Sequence, residues 1–140
     1  MLKSLPKKTR QFVLFIIAVF VILLPFGINY LIFLNYERDI KLIQVQNLDL
    51  NTVADGEYFG DCDVDLVGAK VRVVVKNNKI MEIELIEHKN DRGAMANSMP
   101  EKIIREQRLD VDSVSGATAS SKVIQEAVYN ALTGKRTIRN

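Results

Sequence analysis

Apolar residues along this chain follow three patterns. From Phe12 to Leu24 every position is apolar, a second apolar run covers Leu31 to Leu34, and no charged residue lies between Arg10 and Glu37. That length exceeds the roughly 20 residues a helix needs to cross a bilayer core. The twelve large apolar residues of 12–24, at about −0.3 to −0.6 kcal/mol each, favour insertion by roughly 4–7 kcal/mol. No polar face recurs at helical period, which sets a membrane span against the rival of a buried core helix. Pro25 and Gly27 can kink such a helix without preventing the span. A cleaved signal peptide shares the basic start and apolar run, but no small-x-small site follows Leu24, so an uncleaved anchor is expected.

The second pattern has a period of two. Lys70 to Lys76 places Val71, Val73 and Val75 on one face, and Lys79 to Glu87 places Met81, Ile83 and Leu85 opposite Glu82 and Glu84. Both read as strands, joined by Asn77-Asn78, since asparagine tolerates the positive φ of a tight turn. Asp55-Gly56 announces a turn before a short strand over Glu57 to Gly60.

The third pattern is helical. Ser98-Met-Pro-Glu101 has the form of a capping box opening a short helix towards Gln107. From Ser120 onward, Val123, Ile124, Ala127, Val128, Ala131 and Leu132 make one apolar stripe that Gly134 ends. Strands first and helices later predict an α+β domain, an antiparallel sheet with packed helices, preceded by one N-terminal transmembrane helix. The expected organisation is a basic N-terminus over 1–10, the transmembrane helix over 11–34, a stalk over 35–49, the folded domain over 50–134 and a tail over 135–140.

Charge orients this arrangement. The chain holds 19 Lys and Arg against 17 Asp and Glu, and Lys3, Lys7, Lys8 and Arg10 lie before the span. That excess puts the N-terminus in the cytoplasm and the domain outside the cell membrane. The remainder is slightly acidic, which argues against a nucleic-acid partner. One cysteine, Cys62, and one histidine, His88, cannot build a disulfide scaffold or a cysteine- or histidine-rich metal centre. Asp61, Asp63 and Asp65 around Cys62 lack the glycine and terminal glutamate of an EF-hand loop, so they read as surface aspartates and the thiol as a poor nucleophile.

The segment between the two helices carries the candidate chemistry. Ser115, Gly116, Ala117, Thr118, Ser120 and Ser121 run straight into a helix start. Free amides and the positive end of the helix dipole make that an anion site, and the small residues let a phosphate approach the backbone. The competing reading is an ordinary serine-rich loop whose hydroxyls cap the helix.

The string Asp112-Ser-Val-Ser-Gly-Ala-Thr118 matches every fixed position of the Asp-x-x-[Ser/Thr]-Gly-Ala-[Thr/Ser] flavinylation motif. With the Asp55-Gly-Glu-Tyr-Phe-Gly opening, the hairpin, the Glu87-His88 pair and the Ile103 to Gln107 helix in the same order, the chain resembles the FMN-binding domain family from about Leu50 to Leu132. That family includes flavin-carrying subunits of sodium-translocating NADH:quinone reductase and of ferredoxin:NAD reductase complexes. Asn90-Asp91-Arg92-Gly93 stands where the larger subunits have Glu-Thr-Pro-Gly, so the chain looks more like the small stand-alone members. The resemblance implies FMN as cofactor, joined through its phosphate to Thr118 by a separate FAD-dependent flavin transferase. It further implies that Asp112, Ser115, Gly116 and Ala117 form the recognition loop, that Ser120 and Ser121 lie near the phosphate, and that His88 lies near the flavin. For His88 a solvated residue after an edge strand is the alternative, as is a solvated Lys122 to one pairing the phosphate, and core filling to flavin packing for Met95 and Met99. The expected role is electron carrier rather than stand-alone enzyme, fed by a membrane-bound donor and discharging to an external or membrane acceptor. A non-covalent FMN sensor or an assembly subunit of a membrane redox complex is the alternative.

Overall fold

The computed structural model describes residues 6–90 and 93–135; Lys3, Asp91, Arg92 and the tail beyond Lys135 lie outside the described residues. The chain divides into two compact units, Met1–Asn35 and Tyr36–Asn140. Helix α1, Lys7–Leu42, runs unbroken through Pro25, where Asn29 Nδ2 donates to the Pro25 carbonyl at 2.8 Å. It is long and apolar enough to cross a membrane, and none of its residues is buried. Phe12, Phe15, Phe20 and Phe26 are 64%, 66%, 64% and 71% exposed. A core helix would have these rings covered, so that reading is set aside.

The second unit is α+β. Strands β1 (Gly56–Val64), β2 (Val67–Lys76) and β3 (Lys79–Lys89) form an antiparallel sheet in that order. Helices α2 (Met99–Glu106) and α3 (Thr118–Thr133) pack against it. The hairpin turns at Asn77 and Asn78, with φ of 51° and 59°, and Asp55 Oδ1 accepts the Asn77 N–H at 2.8 Å. Two positive φ values in a two-residue loop match the twist of the flanking strands. β1 runs past Gly60 to Val64, longer than the expected strand, and turns Cys62 and Val64 into the core.

One face of β3 departs from simple alternation. The register passes from Val74↔Glu82 to Val75↔Ile80 and from Lys70↔Glu87 to Val71↔Leu85. Met81 and Ile86 are therefore bulge residues, 57% and 48% exposed, while Ile80 and Ile83 are buried. Met81 does not share the buried face of Ile83, because an extra residue in one strand shifts the side-chain phase by one.

All six residues of the α3 stripe are buried, and Gly134 closes the helix at φ 68°. The helix approaches β1 at Gly60, where a Cβ would stand 2.3 Å from the Ala127 carbonyl oxygen and 2.4 Å from the Ala131 amide nitrogen. α2 begins without the capping box: Ser98 has helical backbone angles, and no side-chain cap bond is made. A 3₁₀ turn, Ala94–Ser98, leads straight into α2, and Ser98 Oγ donates back to the Met95 carbonyl at 3.0 Å. An N-cap side chain reaches the first-turn amides only from a non-helical backbone.

The segment expected as a stalk belongs to the folded unit, which begins at Tyr36 rather than near Leu50. Tyr36, Ile40, Ile43, Val45 and Leu48 are half-buried against the core. Asn47 Oδ1 accepts the Leu109 N–H at 3.2 Å, and Tyr129 donates to Gln46 Oε1 at 3.1 Å. Aliphatics interleaved with polar residues read as a stalk, yet they make one packed face once a core lies beside them.

Gly60→Ala should lower stability by about 1–3 kcal/mol, the usual range for overpacking, and Gly60→Val by more, read from urea midpoints of the full chain in detergent. Burial raises the Glu126 carboxyl pKa, with Lys135 opposing it. The ionised carboxylate is thus disfavoured in the folded state, and that penalty disappears as pH falls below the unfolded carboxyl pKa. Glu126→Gln should accordingly stabilise the protein at neutral pH, with the gain fading in acid.

Candidate functional site

Helix α2 ends at Gln107, left-handed at φ 51°. Its side chain accepts from the Ile80 N–H at 2.9 Å and donates to the Ile80 carbonyl at 2.8 Å. The chain then runs beneath α3, where the buried Gln125 Nε2 donates to the Leu109 and Val111 carbonyls at 2.9 and 2.6 Å. Next, the Val114 N–H donates to Ser121 Oγ at 3.0 Å, and the Ala117 N–H donates to the Val114 carbonyl at 3.0 Å. That last bond closes a four-residue turn with Gly116 in third place at φ 77°, a conformation for which glycine is the natural choice.

The turn delivers Ala117 to the N-cap of α3, and no side-chain cap bond is made there. The hydroxyls therefore do not cap the helix. Ser121 is fully buried and holds Val114, Ser120 is buried, and Thr118 is exposed as the first helical residue. Ser121 N–H bonds Ala117 O at 2.9 Å, whereas the amides of Thr118, Ala119 and Ser120 precede the first residue able to find a carbonyl inside the helix. A sixteen-residue helix thus presents an uncapped positive end.

These amides border a cavity of about 170 Å³ whose walls include Tyr36, Val67, Gly93, Gly116, Thr118 and Ser120. Gly93 closes on the helix start so tightly that a Cβ there would collide with Ser120 Oγ. Burial, then the nearby Glu37 charge, pushes the Tyr36 phenol above its ordinary pKa. Among the residues expected at the site, Gly116, Ala117, Thr118 and Ser120 share this cavity. The others lie outside its lining. Asp112 is exposed, and its carbonyl accepts Lys102 Nζ at 2.6 Å. Ser115 is exposed in the turn. Ser121 faces the interior, where its hydroxyl accepts the Val114 N–H.

His88, next to last in β3, has Nδ1 2.7 Å from Asn97 Oδ1, and its Nε2 is buried without a hydrogen-bond partner among the described residues. Lys122 Nζ lies 3.5 Å from the Ile40 carbonyl and does not line the cavity. Met99 fills the core and Met95 is 61% exposed. Cys62 is buried in the sheet's inner face. Tyr36, Val67, Gly93 and Ala119 line the cavity without having been expected at the site. Gly93 reaches Ser120 only through the fold, and Tyr36 reads from sequence as part of the stalk.

The FMN-binding domain family matches residues 68–133, a little under half of the chain. An FMN-binding domain is present, and FMN is the cofactor the match indicates. The match opens at Gly68 within β2, whereas the motif order suggested a start near Leu50. Comparison with curated proteins returned no match. The residues present fit the anionic end of FMN: uncapped amides, a positive-φ glycine and an exposed hydroxyl adjoin one small space. At about 170 Å³ the cavity is smaller than the roughly 300–1,000 Å³ clefts that enclose whole ligands, so it suits the phosphate rather than the entire cofactor.

Gly93→Ala should destabilise the full chain by about 1–3 kcal/mol through overpacking, and adding Ser120→Gly should recover part of that loss by removing the atoms struck. Thermal unfolding of the two variants against wild type measures both effects.

Proposed function

We propose that this chain, from the FMN-binding domain it contains, works as a membrane-anchored extracytoplasmic flavoprotein whose FMN is esterified to Thr118 and which carries electrons between partners. The observation that supports this reading best is the start of α3, where an exposed threonine hydroxyl adjoins uncapped amides and the Gly116 turn. A serine-rich loop serving only to cap the helix would have placed a hydroxyl at the N-cap, where Ala117 stands.

In the attachment step, Thr118 Oγ forms a P–O bond to the flavin-side phosphorus of FAD. The pyrophosphate P–O bond breaks, AMP leaves, and the hydroxyl proton passes to solvent or to the departing phosphate. No carboxylate, histidine, lysine or arginine lines the cavity among the described residues. A separate FAD-dependent flavin transferase is the proposed catalyst of this step. The resulting diester bears one negative charge at the α3 N-terminus, favoured by about 0.3–1 kcal/mol at an exposed site. That is too weak to retain a cofactor, and a covalent bond removes the need.

Bound FMN supplies the redox chemistry. This chain's contribution is to fix the phosphate, through the turn that Ser121 and Gln125 hold from inside. The basic residues before the apolar stretch favour an N-terminus in the cytoplasm and the FMN domain outside. The donor is then a membrane-bound protein, and the acceptor is either external or in the membrane.

Full-length protein co-produced with an active transferase should give a fluorescent band on a denaturing gel and gain the mass of FMN less one water. Thr118→Ala should abolish both signals, and Thr118→Ser should retain them in part because it keeps a hydroxyl. Asp112→Ala should reduce labelling without unfolding the domain. Wild-type protein that stays unlabelled yet binds free FMN would turn the assignment to a non-covalent sensor or assembly subunit.

A further inference from the structure

Gly93 forms one wall of the Thr118 cavity, so close to Ser120 that no side chain fits between them. Glycine has no side chain with which to hold itself there, so its neighbours set its position. The Ala96 N–H donates to the Gly93 carbonyl at 2.9 Å, and the fully buried Ala96 seats the 3₁₀ turn Ala94–Ser98 on the core. One bond between side chains joins that turn to the sheet, from His88 Nδ1 of β3 to Asn97 Oδ1 at 2.7 Å. Asn90 Nδ2 braces the strand end by donating to the His88 carbonyl at 3.1 Å.

Sheet register brings His88 close to a second wall. It pairs with the buried Ala69 of β2, and Val67, which lines the cavity, lies two positions along the same face of that strand. Diagonal neighbours on a sheet face stand about 7–8 Å apart. The imidazole is thus tied to the turn that carries Gly93 and stands near Val67, yet it is not itself a lining residue. Its two nitrogens are used unequally. Asn97 offers a carbonyl oxygen, an acceptor only, so the ring must donate and its proton sits on Nδ1. Nε2 is then a bare acceptor, buried and without a hydrogen-bond partner among the described residues. Leaving it unpaired costs free energy, so the working side of the ring is Nδ1.

We propose that His88 is a positioning residue for the phosphate cavity: through its Nδ1–H bond to Asn97 it holds the Ala94–Ser98 turn, and Gly93 with it, against the start of α3. This rests on the reading that the cavity receives the Thr118-linked phosphate. The histidine then acts through the protein and needs no contact with the flavin. Without its bond the turn lifts more often, the Gly93 wall opens, and the phosphate meets solvent.

Isosteric amides separate the two nitrogens, because asparagine places an N–H where Nδ1 stands and glutamine places one where Nε2 stands. In the full chain in detergent, nitrogen NMR of the wild-type imidazole should show the Nδ1-protonated tautomer. Exchange of the Ala96 amide, whose acceptor is Gly93, should quicken about tenfold in His88→Gln, the factor one ordinary hydrogen bond supplies. In His88→Asn it should stay near the wild-type rate. In flavinylated protein the phosphorus NMR line of the diester should shift in His88→Gln towards its position in the urea-unfolded chain, and keep its wild-type position in His88→Asn. Should either substitution unfold the domain, Asn97→Asp, which keeps the acceptor, and Asn97→Leu, which removes it, are measured in the same way with the same pair of results expected. An Nε2-protonated tautomer, an unchanged exchange rate and phosphorus line in the variant that lacks the bond, or retention by glutamine with loss by asparagine overturns the proposal. Wild-type protein without a fluorescent band defeats the covalent reading alone. Inorganic phosphate then replaces the diester, its binding is read at the Ser120 amide, and the tautomer and exchange results decide as before.

Discussion

Helix α3 lies against β1 because Gly60 has no side chain, and most of the second unit is arranged around that approach. A Cβ at Gly60 would overlap the helix backbone at Ala127 and Ala131, so the helix can seat its buried stripe on the sheet only over a glycine. Seated there, α3 also turns polar groups inward. Asn130 Nδ2 donates to the Asp61 carbonyl of β1 at 2.9 Å, and Gln125 holds the two carbonyls of the segment that enters the helix. Each buried amide meets an acceptor, as burial of polar groups requires. The position of α3 and the path of the chain leading into it are thus set by one helix face.

The chemistry at the other end of α3 follows from how its hydroxyls are divided. Ser120 and Ser121 lie on the buried side, and Ser121 is committed to Val114. Thr118, two residues earlier, emerges at the surface beside amides that no side chain caps. Had the helix begun at Ser120, a serine would have occupied the first turn and the threonine would have stood in a loose loop. Beginning at Thr118, it presents an exposed hydroxyl at the helix start, next to a turn whose positive-φ position is Gly116.

Arg72 shows a different use of charge. On the outer face of the sheet it reaches Glu57, Glu82 and Glu84, one from β1 and two from β3, at 2.7, 2.8 and 2.6 Å. These contacts raise the guanidinium pKa, with the Glu57 hydrogen bond the largest cause and Glu84 next. The network ties all three strands on the face opposite α3 and adds no charge to the cavity, whose described lining residues carry none.

Local sequence accounts for the apolar α1 segment, the hairpin with its two asparagines, the buried stripe of α3 and the motif that pointed to FMN. Each is written in local periodicity or contiguous residues, where side-chain phase and backbone preference act over a few positions. Tertiary structure alone decided the β3 bulges that turn Met81 outward, the capture of residues 36–49 by the core, and the inward commitment of Ser121. It also decided that Ala117 would be the N-cap and that Gly93 and Tyr36 would wall the cavity. Those outcomes depend on which groups meet across long sequence separations, as when the Val114 amide selects Ser121 Oγ or Ser120 closes on Gly93. Such competition among hydrogen-bond partners and packed surfaces is settled only when the elements are brought together.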